Sequence, residues 1–232
     1  MNALTRMATW VGHGVWRPWL RRRLGRVVVE TVEDLPLVVL PEVFNPAVFR
    51  SGSFLAHTLR HAHELAPTDP AARALDLGTG SGVGAVFAAR RGFETVAVDL
   101  NPHAVRCCRI NALLHEVEER IEVREGDLFA PVAKERFDLV LFNPPFFVAP
   151  PKSALDAAWR SRDVLPRFAD GLATHLTPDG LALLVLSTDG EGEALLADLR
   201  TRGFGVSEVA RRAFGNEILT ASAVRPSASE RS

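Results

Sequence analysis

The sequence predicts an α/β fold, a doubly wound and mostly parallel sheet with helices on both faces. With 232 residues, 47% of them hydrophobic and 24% charged, the chain can bury one large core. From residue 73 onwards, short apolar runs alternate with helical patterns nearly to the end of the chain. Parallel strands need a crossover, which is usually a helix. The last two runs lack a helix between them, so we expect them to pair antiparallel at one edge.

The alternation can be followed element by element. The predicted strands are 74–77, 95–98, 121–123, 138–142 and 181–187, and the two final β-type runs are 205–211 and 217–224. The predicted helices are 83–91, 102–115, 163–176 and 191–202, the last ending at Gly203. We expect the domain itself to span residues 41–225, between an extension at 1–40 and a disordered polar tail at 226–232.

Composition excludes several classes of protein. The only cysteines, Cys107 and Cys108, are adjacent in a predicted helix, which argues against a disulfide framework or a cysteine-based zinc cluster and favours a structural role. The longest apolar runs are far shorter than the roughly 20 residues that span a bilayer. We therefore expect a cytoplasmic protein with no membrane span.

The first 29 residues differ in charge from the remainder. They hold six arginines and no acid, although the whole chain has a net charge of -1. Trp10, Trp16 and Trp19 lie among these arginines. One hypothesis is an arm that contacts RNA, an acidic partner or a membrane surface. The alternative is a solvated helix whose tryptophans pack on the domain, and the sequence favours neither.

A glycine-rich turn follows the first strand of the alternation. Asp76-Leu-Gly78-Thr-Gly80-Ser-Gly82 runs directly into a helix, at the strand end where doubly wound sheets bind ligands. Asp99 ends the second strand, 19 residues after Gly80, where a carboxylate can accept hydrogen bonds from ribose hydroxyls. These features predict a nucleoside-containing cofactor. Taken alone, the glycines also fit an NAD-dependent oxidoreductase or a non-catalytic cofactor-binding module.

A second motif, Asn143-Pro144-Pro145-Phe146, follows the fourth strand and so lies at the same edge. An amide or aromatic amino nitrogen is a poor nucleophile because its lone pair is delocalised. If the Asn143 side-chain oxygen and the Pro144 carbonyl each accept one N–H, they localise that pair and stabilise the growing positive charge. Phe146 offers a flat face on which a planar acceptor can stack, and Pro145, Phe146 and Phe147 are the predicted substrate-binding residues. The alternative is an ordinary turn.

With these motifs in this order, the chain resembles the class I S-adenosylmethionine-dependent methyltransferases that carry an N-P-P-[FY] motif, over roughly residues 41–225. The resemblance implies a seven-stranded sheet with an antiparallel final strand, and S-adenosylmethionine as cofactor. Gly126-Asp127-Leu128-Phe129 is similar to the segment whose acidic residue contacts the adenine amino group. The residues that the resemblance assigns to the cofactor are Asp76, Gly78, Gly80, Gly82, Asp99, Leu100, Asp127, Leu128 and Asn143. For Asp76 and Asp127, capping or a surface salt bridge is the structural alternative.

Two branches of that family imply different acceptors. Residues 139–186 resemble the short HemK-type protein glutamine methyltransferases, which modify translation release factors. This chain departs from that branch with Phe146 in place of tyrosine and Arg160-Ser-Arg162 in place of glycines. The segment 41–53 is instead similar to the branch that methylates rRNA or tRNA bases. The glutamine acceptor is favoured because its resemblance extends further beyond the shared motif.

Three histidines remain to be explained. His57 and His61 have helical i, i+4 spacing and His63 follows them, which suggests a metal cluster. No acid or cysteine is expected to complete such a site. The sequence therefore predicts a solvated helix face and no metal.

Overall fold

The computed structural model describes residues 25–145, 147–148, 160–161 and 163–227. The strands in these ranges are β1 (Val28–Val32), β2 (Leu35–Val39), β3 (Arg73–Leu77), β4 (Glu94–Asp99), β5 (Ile121–Glu125), β6 (Phe137–Phe142), β7 (Phe147–Val148), β8 (Arg160–Ser161), β9 (Leu176–Ser187), β10 (Phe204–Phe214) and β11 (Glu217–Pro226). The α-helices are α1 (Ser51–His61), α2 (Val83–Arg90), α3 (Pro102–Leu114), α4 (Val164–His175) and α5 (Gly192–Thr201). Phe146, most of the basic arm and most of the predicted tail lie outside the described residues.

A mixed seven-stranded sheet organises the domain. Its strand order is β10-β11-β9-β6-β3-β4-β5. The strands from β9 to β5 are parallel neighbours, whereas β11 pairs antiparallel with both β9 and β10. The predicted doubly wound sheet and its antiparallel edge are therefore confirmed, and each predicted helix from residue 83 onwards is present with similar bounds.

The central strands are apolar on both faces, as strands covered by helices on two sides must be. Alternate residues of β6 enter different cores: Val140 and Phe142 lie in a cluster with residues of α4 and α5, while Leu139 and Leu141 pack with residues of α1 and α2. A third cluster joins α2 and α3 to the β4–β5 end of the sheet. No helix in the described part of the chain is long and apolar enough to cross a membrane.

An amino-terminal hairpin, β1–β2, was not among the predicted elements. Its two turn residues, Glu33 and Asp34, have φ of 48° and 67°, the positive values that tight two-residue hairpin turns require. Asn111 of α3 both donates to the Val38 carbonyl at 2.7 Å and accepts from the Val38 amide at 2.8 Å. The described part of the predicted extension therefore packs on the domain.

Helix α1 contains His57 and His61, as their helical spacing predicted, and it corrects the interpretation of the histidines in one respect. Glu33 lies in the hairpin turn. Its Oε1 is 3.1 Å from Nδ1 of His57, and its Oε2 is 3.3 Å from Nε2 of His61. The expectation that no acid completes this pair was wrong, because the acid comes from 24 residues earlier in the chain and only the fold brings it close.

Candidate active site

The strand register brings the predicted motifs to one edge of the sheet. Leu77, the last residue of β3, is paired with Phe142 on one side and with Val98 on the other. Asn143 and the glycine turn therefore leave adjacent strands at the same level. The chain order reverses between β3 and β6, and in doubly wound sheets ligands bind at this switch point. The sequence argument that placed the two motifs together is consistent with this geometry.

The glycine turn leaves β3 and is fastened to β4. The amides of Gly78 and Thr79 both donate to the Val98 carbonyl, at 2.9 and 3.0 Å. Gly78 has φ of 66°, and a Cβ atom built on it would meet no other atom within 4 Å. Gly82, which precedes α2, has φ of 83°, so both positions need glycine for their backbone conformation. The turn is thus hydrogen-bonded to β4, and the space next to Gly78 is open.

Asp76 lies beneath this turn and is 3% exposed. One of its carboxylate oxygens accepts hydrogen bonds from the Thr79 hydroxyl at 2.6 Å and the Ala85 amide at 2.9 Å. Burial raises the pKa of Asp76 to about 7, against the lowering effect of these two bonds. A Cβ on Gly84 would fall 2.7 Å from the same carboxylate. Asp76 therefore holds the turn to α2, and its predicted contact with a cofactor remains a prediction.

Asp99 joins the end of β4 to the same turn. Its Oδ2 accepts a hydrogen bond from the Gly80 amide at 2.8 Å, and its Oδ1 accepts one from the Asn101 amide at 2.9 Å. Burial raises the pKa of Asp99, although these bonds and one from the Leu100 amide lower it. The Leu100 side chain is 63% exposed. A carboxylate with spare lone pairs beside an uncovered apolar side chain suits a ligand with a hydroxylated sugar and a flat base.

The loop after β5 forms the far side of this edge. The Gly126 amide donates to the Asp99 carbonyl at 2.9 Å. Asp127 forms a 2.6 Å ion pair with Arg167 of α4, and these side chains are 45% and 43% exposed. Leu128 has φ of 48°, an uncommon conformation for a leucine that often occurs at functional sites. The surface ion pair considered for Asp127 is present, and its contact with adenine remains a prediction.

Asn143 contributes an unpaired oxygen to the edge. Its Nδ2 donates to the Ser51 hydroxyl at 3.1 Å, and that hydroxyl donates to the Phe49 carbonyl at 3.4 Å. The Oδ1 atom of Asn143 is buried and has no hydrogen-bond partner among the described residues. Burying such an atom without a partner costs about 1–3 kcal/mol, so it requires an explanation. Pro144, which follows, is buried.

Sequence reasoning did not identify Ser51 as a functional residue. It entered only as part of the segment similar to the RNA-modifying branch, and its contact with Asn143 spans 92 residues of sequence. No local pattern reports such a distant hydrogen bond. Beyond the motif, the backbone of Phe147–Val148 pairs in parallel with Arg160–Ser161, so the backbone of Arg160 lies next to the strand that follows the motif.

Comparison with known proteins identifies the family. The profile of the family described as "Methyltransferase small domain" matches residues 34–218. This chain is a member of that methyltransferase family. The predicted class, an S-adenosylmethionine-dependent class I methyltransferase, is thereby confirmed, whereas the NAD-dependent oxidoreductase is not supported.

Two curated relatives are named as glutamine methyltransferases. A putative protein N5-glutamine methyltransferase of Methanocaldococcus jannaschii is 32% identical over 190 residues, 78% of this chain and 90% of the relative. The ribosomal protein uL3 glutamine methyltransferase of Bradyrhizobium diazoefficiens is 37% identical over 122 residues, which are 47% of this chain and 38% of that longer protein.

Among solved structures, the T. thermophilus 16S rRNA N2 G1207 methyltransferase, in complex with AdoMet and guanosine, superimposes with a TM-score of 0.60. It is 21% identical, and the match covers 87% of this chain and 50% of that one. At this identity, the likeness concerns the fold alone.

The cofactor of the methyltransferase is S-adenosylmethionine, and the residues at the sheet edge suit it. The space above Gly78 is open, so a ligand can approach the turn closely. Asp99 can accept hydrogen bonds from the ribose hydroxyls, and the exposed Leu100 can cover one face of the adenine. These are the residues of this chain that would hold the cofactor.

Proposed function

We propose that this methyltransferase methylates the side-chain amide nitrogen of a protein glutamine, as in the release factors modified by the HemK-type branch. The observation that carries the proposal is the buried, unpartnered Oδ1 of Asn143 beside the glycine turn. A primary amide supplies the N–H donor that this oxygen lacks. The two curated relatives named as glutamine methyltransferases support the choice of acceptor.

The chemistry required of the chain is to make an amide nitrogen nucleophilic. Asn143 Oδ1 and the Pro144 carbonyl would each accept one N–H of the glutamine, which favours a nitrogen with a localised lone pair. S-adenosylmethionine supplies an electrophilic methyl group on a sulfonium. The methyl group would pass from the sulfur to the nitrogen and leave S-adenosylhomocysteine. The two oxygens would stabilise the positive charge that grows on the nitrogen, and the surplus proton would pass to water. No strong general base is needed.

Ser51 gives the asparagine amide its orientation. Because its hydroxyl proton goes to the Phe49 carbonyl, its lone pair accepts from Asn143 Nδ2. The Oδ1 atom must then face the other way, where it has no hydrogen-bond partner within the described ranges. The two prolines that follow have fixed φ angles, so the Pro144 carbonyl keeps one direction. Both oxygens are therefore in place before the acceptor binds, which is the preorganisation that electrostatic catalysis requires.

The alternative acceptor is an rRNA or tRNA base, whose exocyclic amino group is also a planar NH₂. The unpaired oxygen of Asn143 fits either group, so the acceptor class depends on experiment. The basic arm proposed for RNA contact lies mostly outside the described residues, and that contact remains a prediction.

The decisive experiment labels the acceptor. The purified chain is incubated with radiolabelled methyl donor and a bacterial extract, and the products are digested with protease or with nuclease. We expect protease to release the label, and we expect a purified release factor to accept it. The control variant Glu119→Ala, at an exposed site on the opposite edge of the sheet, should label normally. Release by nuclease alone would contradict the glutamine proposal and support the RNA base.

A further inference from the structure

Three metal-ligating side chains meet where the β1–β2 turn contacts α1, outside the active site. They are Glu33 from the turn and His57 and His61 from the helix. Oε1 of Glu33 lies 3.1 Å from His57 Nδ1, and Oε2 lies 3.3 Å from His61 Nε2. One ligand atom from each residue lies within 4.8 Å of the others.

The separations between these potential ligand atoms are close to those found between the ligands of a bound metal ion. In a tetrahedral zinc site, with bonds of about 2.0–2.2 Å, neighbouring ligand atoms are about 3.3 Å apart. The two shortest glutamate–histidine distances are close to that length, but they involve different oxygens of Glu33. Binding through one of these oxygens therefore requires the other histidine to move closer to it, and the two imidazoles to move closer to each other. Two histidines with one carboxylate form a donor set that suits Zn²⁺, and they leave a fourth position for water.

The backbone holds the three ligands in place. His57 and His61 are one helical turn apart, so their side chains lie on the same face of α1, and their ring centroids are 4.5 Å apart. Arg60 fixes the turn by donating to the Glu33 carbonyl at 2.5 Å. The histidines are 42% and 57% exposed, so an ion can reach them without any opening of the fold.

One nearby charge opposes cation binding. The Arg60 guanidinium lies 3.9 Å from Oε2 of Glu33, but it also pairs with Asp34 at 3.0 Å, which offsets part of its charge. We expect this arrangement to limit the affinity to the micromolar range rather than to abolish binding.

We propose that Glu33, His57 and His61 bind a divalent transition-metal ion, with zinc as the best fit, which fastens the amino-terminal hairpin to α1. The ligands come from two elements that otherwise meet at an exposed surface, so the ion stabilises the packing of the hairpin. The site does not depend on the identity of the methyl acceptor.

The experiment is a titration of the full chain, free of any affinity tag, with zinc chloride at about pH 7.5, where free imidazoles are mostly neutral. Calorimetry should show one site with micromolar affinity, and zinc should raise the midpoint of thermal unfolding because it binds the folded state. Absence of binding at millimolar zinc would overturn the proposal.

Substitutions locate the site. His57→Ala, His61→Ala and Glu33→Gln should each weaken zinc binding at least tenfold, whereas His63→Ala and His115→Ala should leave it within twofold. Circular dichroism without metal checks that each variant folds. If the three ligand variants bind zinc as tightly as the wild-type chain, the site is elsewhere and the proposal is wrong.

A cobalt spectrum tests the same site without any substitution. In the unmodified chain, Co²⁺ should give the strong visible absorption of a four-coordinate ion, and added Zn²⁺ should remove it. The weak spectrum of the fully hydrated ion would count against the proposal.

Discussion

The two halves of the sheet edge differ in how their polar groups are satisfied. On the cofactor side, Asp76 and Asp99 each accept hydrogen bonds from the glycine turn or from α2. On the acceptor side, Asn143 donates one hydrogen bond to Ser51 and keeps a buried oxygen without a partner. The proposed cofactor half is thus satisfied as folded, whereas the proposed acceptor half holds an oxygen with no partner in the part of the chain that the structure describes.

This difference assigns the two halves different energetic roles. A satisfied carboxylate network fixes the shape of the turn, so its loss should appear in cofactor affinity and in folding. An unsatisfied oxygen raises the free energy of the enzyme without its acceptor, and this penalty is relieved when the N–H arrives. Under the proposed function, the contact of this oxygen with the acceptor nitrogen strengthens as positive charge grows there, so its loss should appear in turnover. Substitutions on each side test this separation.

The largest expected effect is that of Asn143→Ala. Removing an oxygen that stabilises charge in the transition state lowers turnover by about 10² or more. The affinity for S-adenosylhomocysteine, measured by calorimetry, should stay within a few-fold of wild type, because the cofactor half is untouched. Normal turnover in this variant would contradict the role of Asn143, and a parallel loss of cofactor affinity would show that the two halves are not separate.

The pH dependence of stability tests the buried carboxylate. The pKa of Asp76 is about 7 in the folded chain, against 3.8 for an ordinary aspartate. Between pH 3.8 and about pH 7, Asp76 is protonated in the folded state and ionised in the unfolded state. The contribution of Asp76 to the free energy of unfolding of the wild-type chain therefore decreases as the pH rises through this range. Asp76→Asn does not titrate and keeps an oxygen acceptor.

The two proteins should therefore diverge with pH. The free energy of unfolding of Asp76→Asn, minus that of wild type, should increase from about pH 4 to about pH 7 and then level off. Since one pKa unit corresponds to about 1.4 kcal/mol, we expect a change of at least about 2 kcal/mol in urea unfolding. A difference that is constant with pH would show that Asp76 is ionised throughout.

Asp99→Ala should show the opposite kinetic pattern to Asn143→Ala. The Gly80 and Asn101 amides lose their acceptor, and the ribose hydroxyls lose theirs. We expect S-adenosylhomocysteine to bind at least tenfold more weakly, with a smaller change in turnover at saturating methyl donor. The surface variant Glu119→Ala serves as the control, and an unchanged affinity in Asp99→Ala would remove this residue from the cofactor site.

The sequence predicts the local elements of the sheet edge better than it predicts the contacts between distant segments, and the reason is physical. The glycine turn, Asp99 and the strands before them are local patterns, in which each strand end and its motif are contiguous in the chain. The hairpin contact of Asn111 with Val38 and the contact of Asn143 with Ser51 span 73 and 92 residues. Such contacts are set by packing, and neither periodicity nor motif spacing reports them.

Ser51→Ala should have a moderate effect confined to turnover. Without the hydroxyl, the Asn143 amide loses the partner that orients it, and its oxygen faces the acceptor for only part of the time. We expect turnover to fall about fivefold, comparable to one neutral hydrogen bond, with unchanged cofactor affinity. Ser53→Ala is the matched control, because Ser53 lies in the same helical turn and donates to the Pro46 carbonyl at 2.7 Å. Equal losses in both variants would indicate a general disturbance of α1.

The smallest expected effect distinguishes the two roles of Asp127. Its ion pair with Arg167 is about half exposed, and such pairs contribute about 0–1 kcal/mol. If Asp127 accepts a hydrogen bond from the adenine amino group, Asp127→Ala should weaken S-adenosylhomocysteine binding several-fold, while Arg167→Ala leaves it within twofold. If both variants bind S-adenosylhomocysteine equally well, Asp127 is only a surface partner of Arg167. The residues that bind the cofactor would then not include the loop after β5.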